Sequence, residues 1–322
     1  MRVLVIGGTG FIGSHVVCEL VSRGVNVHVL HRGRTRANLA ASVSYGYADR
    51  NDLHTFVEST RDINPDVVLD LIALTEAHAR ATLEICRRGV RRLVALSSMD
   101  VYRAFEVFHS PAAGPLQPVP LSEDDELRST LFPMRELHGS RPPDRPPDYE
   151  KILVERVLRE QSHVPATVLR LPFVYGPGDV VRRRMLPYVK WMADGRPEIS
   201  LSDGLSRWVV SRVYVENVAF GVAEAVMNDL AASRTYNVAD LPAVSEREWV
   251  QQLATVTGWS GRIVEVPDDS IPPGVQLQGN FAQHLVLDTS RIRAELGYRE
   301  RVSFHESVRR TAAWELANPS DV

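Results

Sequence analysis

Short unbroken apolar runs alternate along the chain with stretches in which apolar positions recur every three or four residues. Val3 to Ile6, Val25 to Leu30, Val67 to Leu71, Arg92 to Leu96 and Thr167 to Leu171 read as buried strands. His15 to Val21, closed by Gly24, reads as a helix, as do Glu76 to Arg87 and Tyr149 to Gln161. Strands without polar alternation, separated by helices, predict a parallel sheet covered on both faces, an α/β doubly wound fold. From Pro111 to Pro147 the periodicity fails and nine of the chain's 20 prolines occur, which predicts a long loop or lid. Beyond about Tyr175 the pattern is irregular, as in a smaller lobe. The expected division is a dinucleotide-type domain over 1–175, to which 207–240 returns, and a mostly substrate-binding lobe over 176–322.

Composition narrows the possibilities. The 322 residues are 44% hydrophobic and 24% charged, with 37 Lys+Arg against 40 Asp+Glu and a net charge of -3. Such a balance excludes disorder and gives no reason to expect nucleic-acid or anionic-membrane partners. Cys18 and Cys86 cannot build a disulfide framework or a cysteine metal site, and no ligand cluster suggests another metal. With no apolar run near the roughly 18 residues of a membrane span and no signal-peptide core, a cytoplasmic location is expected. Only Lys151 and Lys190 are lysine. In so arginine-rich a chain, a retained lysine points to chemistry that needs a compact ammonium or a movable proton.

The strongest chemical signal is Gly7-Gly8-Thr9-Gly10-Phe11-Ile12-Gly13 between the first strand and the first helix. Glycines there permit a tight turn and close backbone approach, and the helix N-terminus offers free N–H groups to a pyrophosphate. At the end of the second strand the chain reads His31-Arg32-Gly33-Arg34-Thr35-Arg36, without the acid that holds an adenosine 2′-hydroxyl. Arg32 therefore suits a 2′-phosphate, so NADP is expected over NAD. Asp49 is placed to accept from the adenine amino group, or to serve as a surface turn carboxylate.

Nearly the whole chain resembles the extended, NAD-dependent epimerase/dehydratase-like branch of the short-chain dehydrogenase/reductase superfamily. Besides the glycine motif, Ser97-Ser98-Met99-Asp100-Val101-Tyr102 is similar to its Ser-Ser-x-x-Val-Tyr segment, and Arg170 to Gly178 to its Arg-Pro-x-x-Val-Tyr-Gly-Pro segment. Val213 to Ala219, Tyr236-Asn237-Val238 and Leu287 to Tyr298 match later landmarks. The resemblance implies a Rossmann fold and a homodimer through the helices at 76–87 and 149–161. It also implies cofactor contacts at Arg50, Leu71, Ala73, Ser97, Pro172 and Val174, besides Lys151.

In that family a tyrosine four residues before a lysine carries the proton while the lysine holds the nicotinamide ribose. Lys151 matches the lysine, but Pro147 stands where the tyrosine belongs. Tyr149 is two residues from Lys151, which in a regular helix separates the side chains by about 200°. With Asp148 as the expected N-cap, Tyr149 would sit at an irregular helix end. Ser98 matches the serine that binds the reacting oxygen. Asp100 occupies the position of an acid in sugar-nucleotide dehydratases, and His109 and His138 are further proton sources. Tyr102, Phe173, Arg207 and Arg212 are candidates for the substrate side. Phe173 replaces an asparagine near the family's substrate diphosphate, which argues against a diphosphate substrate.

Two functions follow. One is an NADP(H)-dependent oxidoreductase of epimerase/dehydratase type acting on a polar small molecule, a sugar or secondary metabolite. The other is a catalytically degenerate dinucleotide-binding sensor or interaction protein, for which Pro147 is the support.

Overall fold

The computed structural model describes residues 1–35, 39–110, 113–133, 135, 145–271 and 277–319. Its first half runs β1 (Arg2–Ile6), α1 (Phe11–Ser22), β2 (Asn26–His31), β3 (Ser44–Tyr47), α2 (Leu53–Glu58), β4 (Val67–Asp70), α3 (Glu76–Cys86) and β5 (Arg92–Ser98), then α4 (Arg103–His109), α5 (Lys151–Glu160) and β6 (Ala166–Leu171). The second half adds β7 (Phe173–Tyr175), α6 (Leu186–Ala193), β8 (Glu198–Ser202), α7 (Asp203–Arg207), β9 (Val209–Val210), β10 (Arg212–Tyr214), α8 (Val215–Met227) and β11 (Thr235–Asn237). It closes with β12 (Val244–Ser245), α9 (Glu246–Thr257), β13 (Arg262–Val266), α10 (Ser290–Leu296) and α11 (Phe304–Ala317).

Seven strands form one sheet in the order β11-β6-β5-β4-β1-β2-β3, every neighbour parallel. Alternate residues of β1 serve opposite faces. Val3 and Val5 pack with Val16 and Leu20 of α1 and with Val218 and Val222 of α8, whereas Leu4 and Ile6 pack with Ala79 and Leu83 of α3 and with Val154 and Val157 of α5. Helices on both faces bury both sides of the sheet, which is why its strands read as unbroken apolar runs. Strand order reverses between β1 and β4, so a crevice opens beyond their C-terminal ends, where such sheets bind ligands. Among the described residues no helix is long and apolar enough to cross a membrane.

A second apolar cluster, including Met185, Val189, Trp208, Trp249 and Leu253, lies between α6, α9 and the short strand pairs β8–β13 and β9–β12. The described part of the proline-rich stretch is stitched onto this lobe rather than standing free as a lid. Gln117 N–H donates to Gln283 at 2.7 Å, Leu121 N–H to the Val286 carbonyl at 2.7 Å, and Asp288 N–H to the Leu121 carbonyl at 2.8 Å.

One helix boundary differs from expectation and matters for the site. Helix α5 begins at Lys151, and its N-cap is Glu150 rather than Asp148. The Glu150 carboxylate accepts from Ile152 N–H at 2.8 Å and holds Arg128 bidentately at 2.6 and 3.0 Å, both side chains buried. That buried pair pins the cap two residues later than the proline-ended pattern implies.

Candidate active site

The glycine loop is built for close approach. Gly7 has φ +90°, and a Cβ there would lie 2.7 Å from the Ile72 side chain; a Cβ on Gly13 would lie 2.2 Å from the Gly7 carbonyl oxygen. Any side chain at Gly13 would push α1 off β1. Gly10, the N-cap of α1, has no side-chain capping bond, and nothing lies within 4 Å of where its Cβ would stand. An uncapped helix N-terminus facing open space beyond β1 fits a pyrophosphate. Phe11 contacts the turn at Gly178, and His15 Nε2 lies 3.2 Å from the Pro177 carbonyl, so the turn after β7 packs beside α1. Ile12 and Val174 are half-buried against the adjoining core, and Leu71 and Pro172 are buried.

Thr9 bonds the Thr35 hydroxyl at 2.6 Å, tying the glycine loop to the segment after β2. Arg32 and Arg34 in that segment are exposed, and neither forms an ion pair among the described residues. Arg36 lies outside them. The Asp49 carboxylate accepts from Asn51 N–H at 3.0 Å and from its side-chain amide at 2.9 Å, organising the turn before α2.

Several expected ligand contacts are taken up by the framework. The buried Arg50 guanidinium pairs with Asp70 at 2.7 Å and donates to the Ile72 and His78 carbonyls and the Thr82 hydroxyl, so its charge is not available to a cofactor. The Ser97 hydroxyl donates to Glu155 at 2.6 Å, and Glu155 in turn holds the buried Arg170 at 2.7 Å. Tyr102, fully buried, donates to Asn237 at 2.7 Å and cannot meet a substrate. Arg207 ends α7, exposed and off the cavity wall described below. These four assignments are corrected accordingly.

The catalytic candidates, in contrast, converge. Tyr149 precedes the Glu150 cap and so lies outside α5, where helical spacing no longer separates it from Lys151. Its buried hydroxyl donates to Asp100 at 2.7 Å, and Ser98 is close enough to the phenol to act on its acidity. Burial, and then the Asp100 charge, hold the phenol pKa well above the usual range. The Ser98 hydroxyl caps the turn after β5 by accepting from the Asp100 N–H at 3.2 Å. Arg128 Nε donates to the Asp100 carbonyl at 2.7 Å while its other nitrogens hold Glu150, so one guanidinium bolts the β5 turn to the start of α5.

Arg145 pairs with Asp100 at 2.8 Å and lies 4.1 Å over the Tyr149 ring. Burial works to raise the Asp100 pKa, but Arg145, the phenol and Arg128 outweigh it and hold the carboxyl below its usual value. The second carboxylate oxygen, Oδ1, is buried with no partner among the described residues. Lys151 is buried, donates to the Ala73 and Leu96 carbonyls at 2.6 and 2.7 Å, and is pushed down to about 8 by burial. His109 stands at the end of α4 against Phe105 and Phe108, with no bond to the cluster, and His138 lies outside the described residues.

Beside this cluster, a cavity of about 310 Å³ lies between the two lobes' junction at β7 and the helices α6 and α9. Its walls are aromatic and basic: Phe173, Tyr188, Trp191, Trp208 and Trp249, with Arg182, Arg183, Arg184 and Arg212. Arg212 and Phe173 were expected on the substrate side; Arg145, Arg184 and the three tryptophans were not. Nothing in the sequence separates Arg184 from its neighbours in the run Arg182-Arg183-Arg184, and Arg145 is one more charge in the proline-rich stretch. Among the described residues no three His, Cys, Asp or Glu side chains come together as a metal would require.

A doubly wound sheet with a glycine loop at its crevice is the fold of dinucleotide-binding enzymes, and Ser98, Tyr149 and Lys151 come together at the ends of β5 and α5. The chain belongs to the NAD dependent epimerase/dehydratase family, whose model matches residues 3–239. It is 29% identical over 346 residues to a dTDP-4-dehydro-6-deoxy-D-allose reductase of a Streptomyces species, covering 97% of this chain and 95% of that one. It is 27% identical over 273 residues to the 2'-dehydrokanamycin reductase of Streptomyces kanamyceticus, covering 83% and 70%. A UDP-glucose-4-epimerase structure from Stenotrophomonas maltophila with bound NAD superposes with a TM-score of 0.73 at 21% identity, covering 98% of both chains.

Proposed function

We propose that this enzyme transfers hydride between NADP(H) and a carbinol or carbonyl carbon of a polar small molecule, with Tyr149 as the proton carrier. The observation that carries this reading is the Tyr149 hydroxyl, 2.7 Å from Asp100 and beside Ser98 although two residues, not four, precede the lysine. Tyr149 beside Asp100 and Ser98 supports this reading over an inert sensor.

The glycine loop and the α1 N-terminus would hold the pyrophosphate, Arg32 the 2′-phosphate and Lys151 the nicotinamide ribose. When bound, the nicotinamide supplies or accepts the hydride. Ser98 orients the substrate oxygen. In the oxidising direction the substrate hydroxyl gives its proton to the Tyr149 oxygen while Tyr149 passes its own to Asp100 Oδ2. The paired transfer avoids a phenolate beside a carboxylate, the state that the raised phenol pKa marks as costly. Because Arg145 favours the ionised carboxylate, Asp100 does not retain that proton but releases it to solvent on the partly exposed Arg145 side once product has left. Reduction runs the same path backwards.

A homodimer formed through α3 and α5, which pack side by side on one face of the sheet, belongs to the same reading; light scattering tests it. For the cofactor, the purified protein is denatured and any released nucleotide identified by mass, with NADPH and NADH titrations if none is released. Recovery of NADP+, or NADPH binding at least tenfold tighter than NADH, is the expected result. Recovery of NAD+ alone, or equal affinities, would sink the NADP assignment.

A further inference from the structure

The cavity beside the catalytic cluster carries four guanidinium groups, and they differ in one respect. Arg183 is bonded to Glu315 at 2.8 Å, and Arg212 is paired with Glu246 and stacked 4.4 Å over Trp249. Arg184 has no hydrogen-bond or ion-pair partner among the described residues; its one close contact is the Phe173 ring, 4.2 Å away. Arg184 lines the cavity with its side chain open to solvent, and Arg182 beside it is a like charge. Arg145, which pairs with Asp100, is near enough to repel Arg184, so this cavity wall adjoins the reacting centre.

A guanidinium stacked on an aromatic ring presents its flat fork to a ligand, and that fork matches a carboxylate with two parallel hydrogen bonds. One free cation balances one negative charge. A diphosphate would bring two charges, and a phosphate monoester would bring nearly two as well. The remaining walls, Trp191, Trp208 and Tyr188, are flat and apolar. We infer that Arg184 anchors the carboxylate of a monoanionic substrate with a flat apolar body, whose hydroxyl or carbonyl then meets Ser98 and Tyr149. The second half of this inference rests on the redox reading above; the carboxylate site does not.

The test uses 2-naphthoate, its uncharged amide 2-naphthamide, and UDP-glucose, each titrated into the purified protein while following tryptophan emission. Naphthoate is expected to bind at least tenfold more tightly than naphthamide. Arg184→Gln should remove that difference, and Arg184→Lys should restore part of it, while both variants keep the NADPH affinity of the parent, which also reports that they fold. If UDP-glucose binds more tightly than naphthoate, or Arg184→Gln leaves the naphthoate-to-naphthamide ratio unchanged, the inference is overturned. Naphthoate binding in a protein that binds neither NADPH nor NADH would leave the carboxylate site standing and defeat the redox reading instead.

Discussion

The framework around the sheet and the cavity beside it treat charge in different ways. Arg50 with Asp70, Arg128 with Glu150 and Arg170 with Glu155 are buried ion pairs that also donate to carbonyls or hydroxyls, Arg50 Nε being the donor left over. Removing two charges from water is repaid only when both are fully bonded, so such pairs mark positions where geometry is being fixed. At Asp100 Oδ1 the bonding stops short, and Arg184, open to solvent on the cavity wall, has no ion-pair partner among the described residues. The buried pairs fix the scaffold, and Asp100 and Arg184 are positions at which such pairing is incomplete.

The sharpest way to break that distinction is Tyr149→Phe. If the phenol carries the proton, its loss should lower kcat by about 10²- to 10⁴-fold with the nucleotide affinity little changed. Asp100→Asn should fall in the same range, because the relay needs both partners. A tyrosine that merely packed against α5 would give a modest change in stability and an ordinary rate.

Next in size is a contrast of stabilities. Glu155→Leu leaves Arg170 buried without its partner and should cost about 3–5 kcal/mol. Arg184→Gln removes a cation that has no partner to lose, and its cost should stay within about 0.5 kcal/mol. Urea unfolding of the two variants checks both; similar losses would show that Arg184 belongs to the scaffold after all.

What could be read from the sequence follows the same division. The sheet was legible because both its faces are buried and its strands are therefore unbroken apolar runs. The glycine motif was legible because the tight β1–α1 junction tolerates no side chain at Gly13. Arg50, Ser97 and Tyr102 were misassigned because adjacency in sequence to cofactor motifs does not say which way a side chain bonds. Tyr149 could be placed only once the helix start was known. That start depends on Arg128, 22 residues earlier, holding Glu150 as the cap. Arg184 was illegible for a different reason: among 35 arginines, absence of a partner is a property of three-dimensional structure alone.

A smaller effect sharpens the cofactor side. Arg32→Ser should weaken NADPH binding about tenfold and leave NADH unchanged, since one exposed charge-assisted contact to a 2′-phosphate contributes roughly 1.5 kcal/mol or more. Equal loss for both nucleotides would mean that Arg32 supports the loop bonded to Thr9 rather than reading the phosphate.

The change that is only twofold near pH 8 is also the one that separates chemistry from stability. Lys151 is pushed down to about 8 by burial, whereas an unfolded lysine keeps its proton to about pH 10.4. Between those values the unfolded chain binds the additional proton. Stability from this group therefore rises with pH across the window; the cost of burying the ammonium is complete below pH 8 and gone above about 10.4. Activity should run the other way, because the ribose contact and the positive potential beside Tyr149 both require the ammonium. The rate should be halved near pH 8 and fall about tenfold for each further pH unit. A pH profile of kcat/KM, set against urea unfolding at the same pH values, distinguishes the causes: activity falling while the chain does not weaken assigns the loss to the lysine proton. A rate that is flat from pH 7 to 10 would remove Lys151 from the chemistry and leave it a bolt between the Ala73 and Leu96 carbonyls.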